Sequence, residues 1–165
     1  MIDLKAIHEM WSKDCEINSN KLDEASREQP LLHAKYLELL STFKLQLKRA
    51  EFQQKTLLKD KWLWYNGKMS HEEILEKGWD PDPFNGLKIL KGEMEYYYDS
   101  DPEIQKSEEK IQYYKTVIDT LTDIINNINW RHQTISNIIK WKQFESGNYI
   151  TLTFTFSVKV VQHKS

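Results

Sequence analysis

A chain of 165 residues is long enough for one domain with a modest core, and its formal net charge of −2 excludes a bulk polycation that would coat nucleic acid indiscriminately. A single cysteine, Cys15, excludes an intrachain disulfide and gives no sign of an oxidising compartment. The opening MIDLKAIHEMWSKD lacks the apolar run of a signal peptide and no window approaches the ~20 apolar residues of a membrane span, so a soluble, intracellular protein with no membrane partner is expected.

Residues 3–14 predict a short amphipathic helix, with Leu4, Ile7, Met10 and Trp11 on one side and Asp3 as its N-cap. Ile17-Asn18-Ser19-Asn20 is a polar break. A second short helix over 20–28 is expected to stop before Pro30, because a proline pushes the residue ahead of it out of helical geometry. From Leu31 to Asn66 glycine and proline are absent, which predicts a helix over 31–66, roughly 50 Å long, ended by Gly67. Such a helix cannot fold back on itself, so another helix or another copy of the chain must cover its apolar seam.

The stretch 44–68 of that helix and its end carries seven basic residues against two acidic ones, a net of +5. At ~100° per residue, Lys44, Lys48, Lys55, Lys59 and Trp62 fall within an arc of roughly 60°. A different face carries Tyr36, Phe43, Ala50, Leu57 and Trp64, spaced seven apart and flanked by Leu40 and Leu47. Ammonium groups beside aromatic rings suit single-stranded nucleic acid, the amines meeting phosphates and the rings meeting unstacked bases. An amphipathic helix with lysine on its solvent side and aromatics in the core explains the same pattern without nucleic acid.

Segment 68–102 differs in kind. It opens just after Gly67, and four of the five glycines and three of the four prolines lie between Gly67 and Pro102. A variable loop is expected there, with a short helix at His71–Lys77 and strand-like composition at Tyr96-Tyr97-Tyr98, for which Leu87-Lys88-Ile89-Leu90 is a pairing or packing neighbour. Residues 70–110 hold twelve acidic residues against five basic ones, net −7, an acidic neighbour that could shield the basic patch or meet a protein partner.

Over 103–146 glycine and proline vanish again, and a second long helix is predicted. Ile111, Tyr114, Ile118, Leu121, Ile125 and Ile128 keep the three-and-four spacing of a coiled-coil seam, continued by Ile135, Ile138, Ile139 and Phe144. Part of this stripe is expected to cover helix 31–66 and the remainder to join neighbouring subunits. The tail then switches to period two, predicting a strand over 149–161 with no evident partner: it pairs with 87–98, pairs between subunits, or is a non-native appendage. The expected fold is mainly α, an elongated helical protein with two long helices packed as coiled-coil-like seams. Residues 1–147 form one helical domain, and 148–165 form a strand-like extension.

Metal binding and catalysis find no pattern. His8, His33, His71, His132 and His163 are scattered without ligand spacing, and there is no phosphate-binding glycine loop or nucleophile elbow. The acidic run Asp80, Asp82, Glu93, Glu95, Asp99 and Asp101 invites a two-metal nuclease reading, but carboxylates on a loop are usually solvated. No enzyme, cofactor or metal is expected.

The order short helix, long basic helix, acidic loop, long apolar helix resembles the UvsY family of recombination mediators of T-even-like phages. Two patches carry the resemblance in residues: Leu58-Lys59-Asp60-Lys61-Trp62-Leu63-Trp64-Tyr65-Asn66-Gly67-Lys68, and the ending Phe144-Glu145-Ser146-Gly147. It covers about residues 1–147 in layout and leaves the tail without support. The resemblance implies a non-enzymatic protein in the cytoplasm of the infected bacterial host, assembled as a hexameric or heptameric ring. It further implies that the ring binds single-stranded DNA, weakens the hold of the single-strand binding protein and helps load the phage recombinase.

By position, Lys59 and Lys61 match the family's two basic DNA-contacting residues, although Lys61 stands where arginine is expected and Asp60 separates the two. On the helix wheel Lys61 lies about 100° from Lys44, inside the apolar seam. Either the helix frays or bends before 61, or the seam opens there and Lys61 faces a ring interior, since full burial of an unpaired lysine would be costly. The candidate DNA-binding residues are therefore Lys44, Lys48, Lys55, Lys59, Lys61 and Lys68, with Trp62 and Tyr65 for stacking and Trp64 assigned to the core. The rival reading is a coiled-coil structural or adaptor protein that binds no DNA.

Overall fold

The computed structural model describes residues 2–147. The chain is mainly α, with helices α1 (Leu4–Asp14), α2 (Leu22–Tyr65), α3 (His71–Lys77), α4 (Met94–Asp99) and α5 (Pro102–Glu145) and no strand among the described residues. The expected strand over 149–161 lies outside them. Among the described residues no helix is long and apolar enough to cross a membrane, and no group of three His, Cys, Asp or Glu side chains could hold a metal ion. Among the described residues two compact units form: one from residues 2–39 with 120–147, the other from Leu40–Asp119.

In the first unit, α1 begins where the Asp3 carboxylate accepts the Ala6 N–H at 2.8 Å, satisfying one of the donors a helix start leaves open. Trp11 meets Tyr36 edge-on, with ring centres 5.6 Å apart, and the Tyr36 hydroxyl donates to Asp14 at 2.9 Å. The other end of α1 is held by Arg131 of α5, which donates to the carbonyls of Asp14, Cys15 and Glu16 at 2.9–3.0 Å. A planar guanidinium suits this task, because one rigid fork reaches several carbonyls.

Two expectations about the long helices need correction. The first is the break at Pro30: α2 is continuous from Leu22 through Pro30 to Tyr65. Proline there removes one hydrogen bond to the Ser26 carbonyl. Both residues are exposed, so water can reach that carbonyl, while buried Ala25 and Tyr36 on either side hold the helix by packing. The second is the assembly stripe. Ile111, Tyr114, Leu121 and Ile128 are buried within one chain, Leu121 and Ile128 completely, and Ile118 and Ile125 are half-buried. The stripe is chiefly internal core. The large apolar side chains that α5 leaves exposed are Tyr113, Trp130, Ile139, Trp141 and Phe144, the last four in its C-terminal part.

In the second unit, Phe43 and Ala50 of α2 are buried together with Ile104, Ile111, Tyr114 and Val117 of α5. The cross-helix pairs Phe43–Tyr114, Gln53–Lys110 and Lys61–Glu103 set the two segments antiparallel. α2 ends in a Schellman turn: Lys68 N–H bonds the Leu63 carbonyl and Gly67 N–H the Trp64 carbonyl, with Gly67 at φ 61°, where glycine alone is unstrained. α3 opens on a reciprocal capping box between Ser70 and Glu73.

The strand-like reading of Tyr96–Tyr98 is also corrected, since these residues lie in α4. A strand would send Tyr96 and Tyr98 to one side; instead Tyr97 and Tyr98 turn inward and Tyr96 stays exposed, the pattern of helical rather than alternating geometry. The Tyr98 hydroxyl donates to the Leu58 carbonyl at 2.8 Å.

Candidate nucleic-acid interface

The expected DNA-binding residues divide into two groups within the second unit. Lys44, Lys48, Lys55 and Lys59 are all exposed along one side of α2; Arg49, on another side, and Lys68, past the helix end, are exposed as well. Trp62 is 47% exposed, and the Lys68 ammonium lies 4.5 Å from its ring centre. An amine and a ring together at the surface fit a phosphate and its base. Lys48 also reaches Glu51 at 3.3 Å, an exposed pair of small energetic weight. Asp60, which interrupts the basic sequence, is held by Lys77 of α3 at 2.7 Å and by Lys59 at 3.8 Å. Two amines share that carboxylate, so Asp60 does not cancel the local positive charge.

Lys61 and Tyr65 belong to the second group, and their expected contact with DNA is not supported. Lys61 is only 3% exposed. Its ammonium lies 2.9 Å from Asp101 Oδ2 and 3.3 Å from Glu103 Oε1, and 4.0 and 4.6 Å from the ring centres of Trp79 and Trp64. Burial is costly for an unpaired lysine; this one has two carboxylates and two aromatic faces, which offset the loss of water. Paired in this way, it adds no free positive charge to the surface.

Tyr65 is buried, and its hydroxyl donates to Asp101 Oδ2 at 3.0 Å. Burial, then the Asp101 hydrogen bond, then the charges of Asp101 and Glu103 raise its pKa well above the usual tyrosine value. Trp64, half-buried, packs on Tyr65 and Trp79 at 4.7 and 5.1 Å and donates its indole N–H to the Asp80 carbonyl at 2.7 Å, so its ring is engaged within the chain.

Asp101 joins these groups. Oδ2 takes Lys61 and Tyr65, while Oδ1 accepts the N–H groups of Glu103 and Ile104 at 2.9 and 3.2 Å, capping α5. Pro102 follows in the first helical position, where a missing N–H costs nothing. Burial would raise the Asp101 pKa; the hydrogen bonds from Lys61, the Ile104 backbone and Tyr65 outweigh it and hold the group below the usual carboxylate range.

Sequence reasoning passed over Phe52. It is 56% exposed and lies about 80° from Lys44 on the wheel, at the border of the lysine arc. Its position beside the stripe was readable; its exposure was not, because a phenylalanine in a helix with an apolar seam is ordinarily assigned to that seam.

The arrangement offers exposed amines and rings for a polyanion. A family model described as "Recombination, repair and ssDNA binding protein UvsY" matches residues 10–148. The recombination protein uvsY of Enterobacteria phage T4 is 27% identical over 144 residues, covering 87% of this chain and 98% of that protein. Crystal structures of the bacteriophage T4 recombination mediator protein UvsY superpose with TM-scores of 0.73 and 0.70 in two lattice types, both at 25% identity. They cover 88% and 84% of this chain and 99% and 97% of theirs. The chain belongs to the UvsY family of recombination, repair and single-stranded-DNA-binding proteins.

Proposed function

We propose that this UvsY-family protein holds single-stranded DNA on the lysine face of α2 and acts as a recombination mediator in the cytoplasm of the infected bacterium. The observation that carries the assignment is the exposure of Lys44, Lys48, Lys55 and Lys59 in one arc, bordered by the Trp62–Lys68 pair. In this reading the protein assembles as a hexameric or heptameric ring, loosens the hold of the single-strand binding protein and helps the recombinase load. Exposed Trp130, Ile139, Trp141 and Phe144 on α5 supply apolar surface for self-association. Several copies of one modest lysine face then act together through effective concentration, so no single site needs high affinity.

Salt dependence tests the assignment. Each phosphate contact on a single strand contributes a slope of ~0.7 in log K against log salt. The double variant Lys55→Ala/Lys59→Ala is expected to lower the slope by about 1.4 for each subunit engaged with the strand, while its solution mass stays that of the wild type. An unchanged slope in a variant that still assembles moves the DNA off this face.

A further inference from the structure

We infer that Phe52 is a nucleobase-stacking platform within the lysine face, a subsite that rests on the single-stranded-DNA reading of that face. Phe52 is 56% exposed in the middle of the basic stretch. The Lys48 ammonium stands 5.1 Å from its ring centre, with exposed Lys55 and Lys59 following one and two turns further along α2. The same pairing of amine and open ring recurs at Trp62 and Lys68, with 4.5 Å between ammonium and ring centre.

Ten residues separate the two rings, about 15 Å along the helix axis, a span of a few nucleotides of extended strand. Two rings with phosphate-binding amines between them form the repeat that sequence-tolerant single-strand binding uses, since every base has a π-face.

Exposed Leu45, seven residues before Phe52, frames the rival occupant: a second copy of the chain packed on a Leu45–Phe52 strip. The charges favour the base. Lysine is depleted from the cores of protein–protein contacts, whereas here Lys44, Lys48 and Lys55 all lie within about 80° of Phe52 on the wheel. Glu51 holds Lys48 at 3.3 Å in the free protein; both are accessible enough for a phosphate to displace this exposed pair.

The test uses the full chain and two fluorescent probes of equal length, oligothymidylate and an abasic sugar-phosphate strand. Phe52→Ala is expected to weaken binding to oligothymidylate about fivefold or more, from the usual value of one base–aromatic stack, with the salt slope unchanged and abasic binding unaltered. Phe52→Trp is expected to restore binding and Phe52→Leu to leave it weak, because bulk without a π-face cannot stack.

Equal loss on both probes, rescue by leucine, wild-type binding by Phe52→Ala, or a drop in solution mass in Phe52→Ala would each overturn the platform. The two readings fail separately: an unchanged salt slope in Lys55→Ala/Lys59→Ala removes the lysine face, whereas an unchanged preference for bases over abasic strand in Phe52→Ala removes the stacking subsite.

Discussion

Lys61→Ala separates charge that meets DNA from charge that builds the fold. In the wild type the Lys61 ammonium is the strongest partner of Asp101 Oδ2, at 2.9 Å, with both side chains 3% exposed. Truncation leaves a buried carboxylate oxygen with the Tyr65 hydroxyl as its remaining donor and removes the ammonium that lies against the Trp64 and Trp79 rings. Removing one member of a buried ion pair costs about 3–5 kcal/mol. Two features set the lower end here. Asp101 Oδ1 keeps its two backbone N–H groups, and half-exposed Glu103 keeps the Trp79 indole N–H at 2.7 Å and can turn to water.

About 3 kcal/mol corresponds to a fall of about 6–12 °C in Tm for a domain of this size, read by circular dichroism at fixed protein concentration. Because the lost charge was already neutralised inside, the log K–log salt slope for single-stranded DNA should not change at a temperature where the variant is folded. A companion variant, Lys61→Ala/Asp101→Asn, removes the orphaned charge while an amide oxygen still caps α5, and should recover a large part of the loss. A Lys61→Ala protein with wild-type Tm and a slope lower by about 0.7 per engaged subunit would refute the buried pairing and return Lys61 to the DNA.

The same carboxylate predicts an acid response. An unfolded aspartate titrates near about pH 3.9 and Asp101 in the folded chain lies below that. The unfolded state therefore binds more protons in the interval between them: the contribution is present above about pH 3.9 and is lost as pH falls through the folded value. Asp101→Asn should flatten the decline in urea midpoint below about pH 4; an unaltered decline would mean that other carboxylates carry it. For assembly, Leu121→Asp places a charge at a fully buried position and should unfold the chain, seen as lost helicity. Trp141→Ser with Phe144→Ser should instead keep helicity and lower the mass by light scattering. A folded Leu121→Asp, or an unchanged mass in the double serine variant, would reverse these assignments.

The long helices were legible because their signals are local and repeated. Long runs without glycine or proline, a seven-residue apolar repeat in α2 and a three-and-four repeat in α5 all agree with helical spacing. Pro30 misled for the same reason: a local rule weighs one missing hydrogen bond but not the buried neighbours Ala25 and Tyr36. The exposed part of the site was legible too, since Lys44, Lys48, Lys55 and Lys59 share an arc by arithmetic. Lys61 and Tyr65 were not. Both sit beside that arc in sequence, and what turns them inward is Asp101, thirty-six residues or more along the chain. The wheel did place Lys61 on the apolar side; its partner was hidden because nothing in the sequence pairs a seam lysine with one carboxylate among the twelve of the acidic segment.

That acidic segment is better understood through its backbone than through its net charge. Between Gly78 and Glu93 no helix or strand forms, so its backbone N–H groups need other acceptors. Carboxylates supply several. Asp80 accepts from the Asp82 N–H, Asp82 from those of Phe84 and Gly86, and Glu93 from that of Leu90. On either side Glu73 caps α3 and Asp101 caps α5. Half of the segment's twelve acidic residues, counting Glu103 on the Trp79 indole and Lys61, are thus engaged in holding the segment's own shape. A loop that shielded the lysine face would need its carboxylates free to turn toward it. These six are committed to local donors, and Asp60, between Lys59 and Lys61, is shared by Lys77 and Lys59. Lys61 holds the acidic segment against α2 from within, and Lys44, Lys48, Lys55 and Lys59 are left to face solvent.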